Sequence, residues 1–329
     1  LALDGRIDWY ENDGEETFES HEVGSSASAV GRVCVSDVEG DGDKDVISLS
    51  HGANAFEWHK NDGTQSFSAH DLSCCYSGNS YHGLVMADMD SDDSEELLVA
   101  WESSGGLSYF ENEGSEHWTR TTVDTTEELP PQVRVFPIDM NQDGRMDAIS
   151  SHYEEPTESS WDNSKIVWWR NDDTGEPAFL ATVITENRYG PFEIFALDID
   201  GDGDVDILAA NPGDHTITWY ENDGEEIFAK HVITNSANGV HKIYASDAEG
   251  DGDIDVFALS ANDRTVAWYE NNGNQKFLYH PLSTTTEGAM SIVTVDMNGD
   301  GDLEMLVGLE GDPFLSIYNN LYFECGPGI

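Results

Sequence analysis

Short runs rich in β-branched and aromatic residues recur along the chain, each four to eight residues long and each bounded by glycine, aspartate or asparagine. One stretch reads KIYASD from Lys242, DVFALSAN from Asp255, TVAWYEN from Thr265 and KFLYHPLS from Lys276, separated by GDGD, AND and NNGN. Apolar runs of this length with turn chemistry between them predict four consecutive strands, here called a, b, c and d. No window carries a sustained 3.6-residue apolar period with capping signals, so almost no helix is expected.

The four-strand unit repeats. WYENDG at Trp9 returns as WHKNDG at Trp58, YFENEG at Tyr109, WWRNDD at Trp168, WYENDG at Trp219, WYENNG at Trp268 and IYNN at Ile317. A second string, acidic and glycine-rich, starts at Asp37, Asp88, Asp139, Asp198, Asp247 and Asp296, in fixed phase with the first. A period of about 50 residues with four antiparallel strands per period points to the blades of a β-propeller; a parallel solenoid is the structural rival. The expected fold is all-β, a seven-bladed propeller in one domain spanning 1–329. Its first blade is partial (1–24), and the others lie at about 31–75, 82–124, 133–185, 192–234, 241–283 and 290–325. Residue 1 falls near the end of a b strand, so a further a-to-b unit with its own acidic loop is expected upstream. Six blades, closed by pairing residues 1–23 with the last a and b strands, is the alternative, and it leaves residues 314–325 spare.

The acidic strings read DVEGDGDKD, DMDSDDSEE, DMNQDGRMD, DIDGDGDVD, DAEGDGDID and DMNGDGDLE, and all fall between strands a and b. They place side-chain oxygens at four positions. Position 1 is Asp37, Asp88, Asp139, Asp198, Asp247 and Asp296; position 3 is Glu39, Asp90, Asn141, Asp200, Glu249 and Asn298. Position 5 is Asp41, Asp92, Asp143, Asp202, Asp251 and Asp300; position 9 is Asp45, Glu96, Asp147, Asp206, Asp255 and Glu304. The position 7 carbonyls of Asp43, Ser94, Arg145, Asp204, Asp253 and Asp302 complete an all-oxygen set suited to Ca²⁺, up to six sites in this chain. Glycine at position 6 permits a sharp turn. The glutamate that an EF-hand needs at position 12 is replaced by Ser48, Val99, Ser150, Ala209, Ala258 and Val307, which excludes that motif.

With these residues in view, the chain resembles the FG-GAP and VCBS repeat propellers, including the head propeller of integrin α subunits. The shared motif, D-x-D-x-D-G-x-x-D between two strands, is clearest at Asp198, Asp200, Asp202, Gly203 and Asp206. The resemblance implies a seven-bladed extracellular propeller with structural Ca²⁺ on one face. Departures are Asp93 in place of glycine, Glu39, Glu249, Asn141 and Asn298 at position 3, and Glu96 and Glu304 at position 9.

Composition narrows the partners. Acidic residues number 66 against 14 basic ones, a formal charge of −52, which repels phosphate backbones and argues against nucleic acid. No apolar run reaches the roughly 20 residues of a spanning helix, so no direct membrane insertion is expected. The recurring tryptophans and the set Phe18, Phe67, Trp118, Phe179, Phe228 and Phe277 read as packing between blades. Cys34 occupies an apolar repeat position, whereas Cys74, Cys75 and Cys325 have no assigned pairing.

In a four-stranded meander the a-to-b and c-to-d turns share one end. The b-to-c and d-to-a connections at the other end vary in length, and the insertion from Ser151 to Lys165 stretches the Tyr109-to-Trp168 interval to 59. That variable end carries the candidate ligand face, Trp101, His152, Tyr153, Trp161, Arg188 and Tyr189, suited to a protein or glycan. The reading is a non-catalytic, calcium-stabilised extracellular module for recognition, adhesion or structure in a larger surface or matrix assembly. The alternative is a carbohydrate-active enzyme or lectin-type domain acting on extracellular polysaccharide. Its candidate catalytic groups, Tyr189, His152 and Arg188, lie in no recognisable motif.

Overall fold

A computed structural model describes residues 5–12, 18–25, 30–50, 55–72, 81–101, 107–112, 118–123, 132–153, 164–172, 179–187, 190–296, 303–309 and 315–318. These form twenty-five strands and no helix. Strands β1 (Arg6–Asn12) and β2 (Phe18–Ser25) pair with each other. Five four-stranded antiparallel sheets follow in chain order. They are β3 to β6 (Val30–Ser36, Asp45–Ser50, Ala55–Asn61, Phe67–Asp71) and β7 to β10 (Tyr81–Ala87, Glu96–Trp101, Leu107–Asn112, Trp118–Val123). Next come β11 to β14 (Gln132–Ile138, Asp147–His152, Ser164–Asn171, Phe179–Asn187) and β15 to β18 (Glu193–Leu197, Asp206–Asn211, Thr216–Asn222, Phe228–Thr234). The fifth is β19 to β22 (Val240–Ser246, Asp255–Ser260, Thr265–Asn271, Phe277–Ser283), and a three-stranded sheet ends the series with β23 (Ala289–Val295), β24 (Glu304–Leu309) and β25 (Leu315–Tyr318). Repeated meanders of this kind are the blades of a β-propeller, six to seven of them here. β25 pairs along β24 from Met305↔Tyr318 to Gly308↔Leu315, so it occupies the edge that the six-bladed closure assigns to residues 1–23.

The chain divides into two compact units, residues 1–11 with 20–191 and residues 12–19 with 192–329. In the first unit the core is built by the b strands, which face two neighbours at once. Leu97 and Val99 of β8 pack with Ile47, Leu49, Phe56 and Trp58, whereas Leu98 and Ala100 turn the other way onto Ala148, Val167 and Trp169. A strand covered on both faces reads as a continuous apolar run, which is why ELLVAW lacks strict alternation. In the second unit β20 does the same, with Val256 and Ala258 toward Leu208 and Trp219, and Phe257 and Leu259 toward Met305 and Val307. Every residue of β4, β12, β16 and β20 is buried. Each of the largest side chains taken from water there contributes about 1.5–3 kcal/mol.

The aromatic repeat positions are core, as their phase implies. Trp58, Trp118, Trp168, Trp219 and Trp268 are buried, and Phe67, Phe179 and Phe277 pack against core clusters. Phe18 departs from its set and lies exposed on β2. Cys34 packs on the cluster of Ile47 and Trp58, where burial pushes its thiol up to about 12. The d strands form sheet edges whose residues are exposed or half-buried in β6, β18 and β22, and an edge strand can carry Pro281 of β22 where its nitrogen faces away from the ladder.

One irregularity recurs that the residue pattern does not announce. The a-to-b pairing shifts register between Val30 and Arg32, Tyr81 and Gly83, Gln132 and Arg134, Val240 and Lys242, and Ala289 and Ser291. A bulge at the same point of five sheets adds local twist, the curvature that stacked blades require.

Candidate functional site

The acidic strings form the a-to-b turns, and their backbones share one geometry. Position 6 is left-handed at Gly42 (φ 96°), Asp93 (72°), Gly144 (86°), Gly203 (100°) and Gly252 (94°). Position 4 is left-handed as well, at Gly40, Ser91, Gln142, Gly201 and Gly250, a second requirement that the motif alone did not disclose. Position 1 fixes this conformation by accepting from loop N–H groups. Asp198 receives Gly201 N–H at 2.7 Å on Oδ1 and Gly203 N–H at 2.9 Å on Oδ2. Asp37, Asp139 and Asp247 each accept from the N–H groups of positions 5 and 6. Position 5 then accepts from position 7, at 2.9 Å for Asp202 and Asp204 N–H. Positions 1 and 5 thus turn their side-chain oxygens toward the N–H groups of their own loop.

Position 9 is different in kind. Asp45, Glu96, Asp147, Asp206, Asp255 and Glu304 each open a b strand and are buried. Asp206 accepts Ile199 N–H at 3.0 Å and Asn222 N–H at 2.8 Å. Asp45 accepts Val38 and Asn61, Asp147 accepts Met140 and Asn171, and Asp255 accepts Ala248 and Asn271. In each case one partner is loop position 2 and the other is the asparagine ending strand c. Those asparagines also donate through Nδ2 to the position 8 carbonyls of Lys44, Met146, Val205 and Ile254. Two reach a neighbouring sheet of the first unit, Asn112 to Val38 O and Asn171 to Met89 O, both at 2.8 Å. Sequence reasoning assigned Asn61, Asn112, Asn171, Asn222 and Asn271 no role, although each stands three residues after the repeat aromatic Trp58, Tyr109, Trp168, Trp219 or Trp268.

Burial dominates the electrostatics of Glu96, Asp147 and Asp206 at position 9. It pushes the carboxyls of Glu96 and Asp206 up to about 7 and that of Asp147 to about 6, against the backbone donors that pull the other way. The loop carboxylates Asp88, Asp90 and Asp92 add to the rise at Glu96, and Asp200 and Asp202 add to it at Asp206. In the fifth loop Glu249 is long enough to hydrogen-bond Asp255, and burial with this carboxyl contact raises Glu249.

The loops differ in how they gather these groups. Asp88, Asp90 and Glu96 bring three carboxylate oxygens within 4.8 Å of one another, and Asp198, Asp200 and Asp206 do the same. Positions 1, 3 and 9 therefore converge in the second and fourth loops, the only such groups among the described residues. In the first loop Glu39 pairs with Lys60 Nζ at 2.5 Å, and in the third Asp143 pairs with Arg145 at 2.7 Å. Asp296 and Glu304 flank the sixth loop, and Asn298, Asp300 and Asp302 lie outside the described residues. Position 7 carries a further constraint. A Cβ on Gly63, Gly224 or Gly273 would stand 2.5 to 2.6 Å from an oxygen of Asp43, Asp204 or Asp253, so the c-to-d turn closes directly over the acidic loop.

The opposite end of the sheets holds the candidate ligand face. His152 is fully buried and bonded to Ser150 Oγ at 2.8 Å, a packing residue that a ligand cannot reach, which corrects its placement on that face. An imidazole with a hydroxyl partner inside its own strand pair loses little on burial, and spacing alone could not distinguish this from an exposed loop histidine. Tyr153 is half-buried beside Gly190. Trp101 ends β8, with its side chain outside the described set, and Trp161, Arg188 and Tyr189 also lie outside the described residues.

Comparison with known proteins agrees with this architecture. A family model described as FG-GAP-like repeat matches residues 37–99, 198–258 and 247–307, more than half of the chain, and each match runs from one acidic loop into the next repeat. Among curated protein sequences nothing matches significantly. A crystal structure of a protein from Lactobacillus plantarum superposes with a TM-score of 0.58 at 11% identity, covering 92% of this chain and 84% of that one, a likeness of fold. The chain belongs to the FG-GAP-like repeat family.

Proposed function

We propose that the protein is a calcium-stabilised propeller module working outside the cell, with recognition or assembly as its task and no chemistry of its own. The observation that carries the reading is the convergence of Asp198, Asp200 and Asp206, three carboxylate oxygens within 4.8 Å, repeated at Asp88, Asp90 and Glu96. Three like charges at that distance repel strongly, and a divalent cation is the simplest neutraliser. The donors fit the ion. All are hard oxygens, and the burial that pushes Asp206 and Glu96 up to about 7 marks carboxylates short of positive charge.

Bound calcium would supply charge neutralisation and cross-linking of the loop to the first residue of strand b. The residues that would hold it are Asp88, Asp90 and Glu96, and Asp198, Asp200 and Asp206. An ion bound only by the folded chain stabilises by mass action, and loops of this type fill at the calcium levels of extracellular fluid. In this reading the protein or glycan partner binds at the sheet ends opposite the acidic loops, on the side of Tyr153, because a rigid scaffold displays function on its connecting segments.

Thermal melting at matched ionic strength tests the calcium reading. Chelation lowers Tm, and millimolar calcium restores it. An identical melt in chelator and calcium overturns the reading. Incubation with neutral and acidic polysaccharides addresses the second half: no new reducing ends are expected, and release of sugar ends favours the enzyme alternative.

A further inference from the structure

The residue preceding the strand c asparagine divides the first five loops into two classes, and in the sixth unit it is Asn319. It is Glu111, Glu221 and Glu270 in the second, fourth and fifth units, but Lys60 and Arg170 in the first and third. The structure makes this position part of the loop environment. Lys60 Nζ contacts Glu39 Oε1 at 2.5 Å and lies within electrostatic reach of Asp41 and Asp45, that is, positions 3, 5 and 9 of the first loop. In the fourth and fifth units the same position adds negative charge to the loop, from Glu221 onto Asp200 and from Glu270 onto Glu249.

The third loop carries its cation by a second route. Position 7 is aspartate in the first, fourth and fifth loops but Arg145 here. Its guanidinium binds Asp143 Oδ2 at 2.7 Å and is pinned by Nε donating to Asn171 O at 3.0 Å. The same Asp143 oxygen accepts Asn141 Nδ2 at 3.2 Å, and Asn141 replaces a position 3 carboxylate with a neutral amide. A divalent ion entering this loop would have to displace the guanidinium and then sit beside it.

The side chains behind this position follow the same division. Lys60 and Arg170 lie over the rings of Trp58 and Trp168, at 5.7 and 5.8 Å. Glu221 and Glu270 instead bond His231 and His280 at 2.6 Å, and those imidazoles stack on Trp219 and Trp268. Arg170 also binds Asp172 at 2.7 Å, so the cation beside the acidic residues of the third loop is Arg145.

We infer that Lys60 and Arg145 are resident cations, so that the first and third loops hold their shape without metal and calcium enters the second, fourth and fifth loops, which hold no such cation. This rests on the calcium reading above and refines it, predicting fewer ions than loops. Neutralisation by a tethered ammonium or guanidinium carries no ion concentration dependence, so these two loops stay closed when calcium is withdrawn.

Hydrogen exchange of the unmodified protein, stripped by chelator and then saturated with calcium, reads each loop separately. Exchange is expected to slow across 88–96, 198–206 and 247–255 and to stay unchanged across 37–45 and 139–147. Lys60→Glu and Arg145→Asp should each raise the calcium bound per chain, counted by equilibrium dialysis, by about one ion. Slowing across 37–45 and 139–147 in the unmodified protein overturns this inference while leaving the calcium reading intact. No slowing in any loop overturns both.

Discussion

Asn222 donates its backbone N–H to Asp206 Oδ1 at 2.8 Å, joining the last residue of strand c to the first residue of strand b. The ladder between these strands runs from Asn211↔Thr216 to Ile207↔Tyr220, and the carboxylate continues it by one step where the backbones diverge. The other oxygen of Asp206 holds Ile199 N–H, so one buried side chain fixes the loop entrance and the neighbouring turn together. Replacing Asp206 with alanine leaves two buried N–H groups without an acceptor, a loss of about 2–4 kcal/mol. Asp206→Asn keeps one acceptor but turns an NH₂ toward an N–H, and should fall between the two. Denaturant titration in chelator, which removes any contribution from metal, checks the order.

Asp93 is the one non-glycine at position 6 among the described loops, and it adopts φ 72°. Aspartate tolerates the left-handed region better than most residues but still costs free energy there. Asp93→Gly should raise stability by about 0.5–1 kcal/mol, the relief exceeding the flexibility that glycine adds to the unfolded chain. A melting temperature unchanged or lowered by the substitution would show that the Asp93 carboxylate makes a compensating contribution.

Strands and acidic turns were legible in the chain because both are local. A run such as DILAAN fixes its own extended backbone, and D-x-D-x-D-G supplies its own caps to the N–H groups of the same turn. The asparagine contacts were not legible in the same way. Asn61 and Asp45 are 16 residues apart, and nothing in either string says that a backbone N–H of one serves the carboxylate of the other. The left-handed position 4 was hidden for another reason: Ser91 and Gln142 stand where Gly40 and Gly201 stand elsewhere, so composition masked the shared backbone. His152 misled because burial is set by neighbouring sheets, which a single strand does not encode.

Gly224 tests how closely the c-to-d turn lies over the acidic loop. Its φ of 74° and the 2.5 Å approach of a Cβ to Asp204 Oδ2 both oppose a side chain. The two costs are separable, because the carboxylate is the mobile end of a side chain and can move, whereas the backbone angle cannot. Gly224→Ala should cost about 1–2 kcal/mol. Adding Asp204→Ala should recover only a minor part of it. Full recovery in the double variant would mean that crowding, not backbone conformation, selects glycine at this turn.

Acidity should stabilise the metal-free protein and destabilise the calcium-loaded one. In the absence of metal, burial pushes Glu96 and Asp206 up to about 7 and Asp147 to about 6, whereas the same groups in an unfolded chain release their protons near pH 4. Between those limits the folded state binds more protons than the unfolded state. The stability from this uptake is complete below the unfolded values and is lost as pH rises through 6 and 7. Calorimetry in chelator should therefore give a Tm that falls from about pH 5 to about pH 8. Calcium replaces the proton as the neutraliser and favours the ionised carboxylate, so saturating calcium should flatten that slope and reverse it toward the acid end, where protons compete with the ion. Asp206→Asn removes one titrating group and should weaken the metal-free slope without abolishing it. General relief of repulsion among the 66 acidic residues acts in both conditions, and the difference between the two profiles isolates the loops. A metal-free Tm that rises across this range would mean that the buried carboxylates are ionised in the folded chain and that burial does not control them.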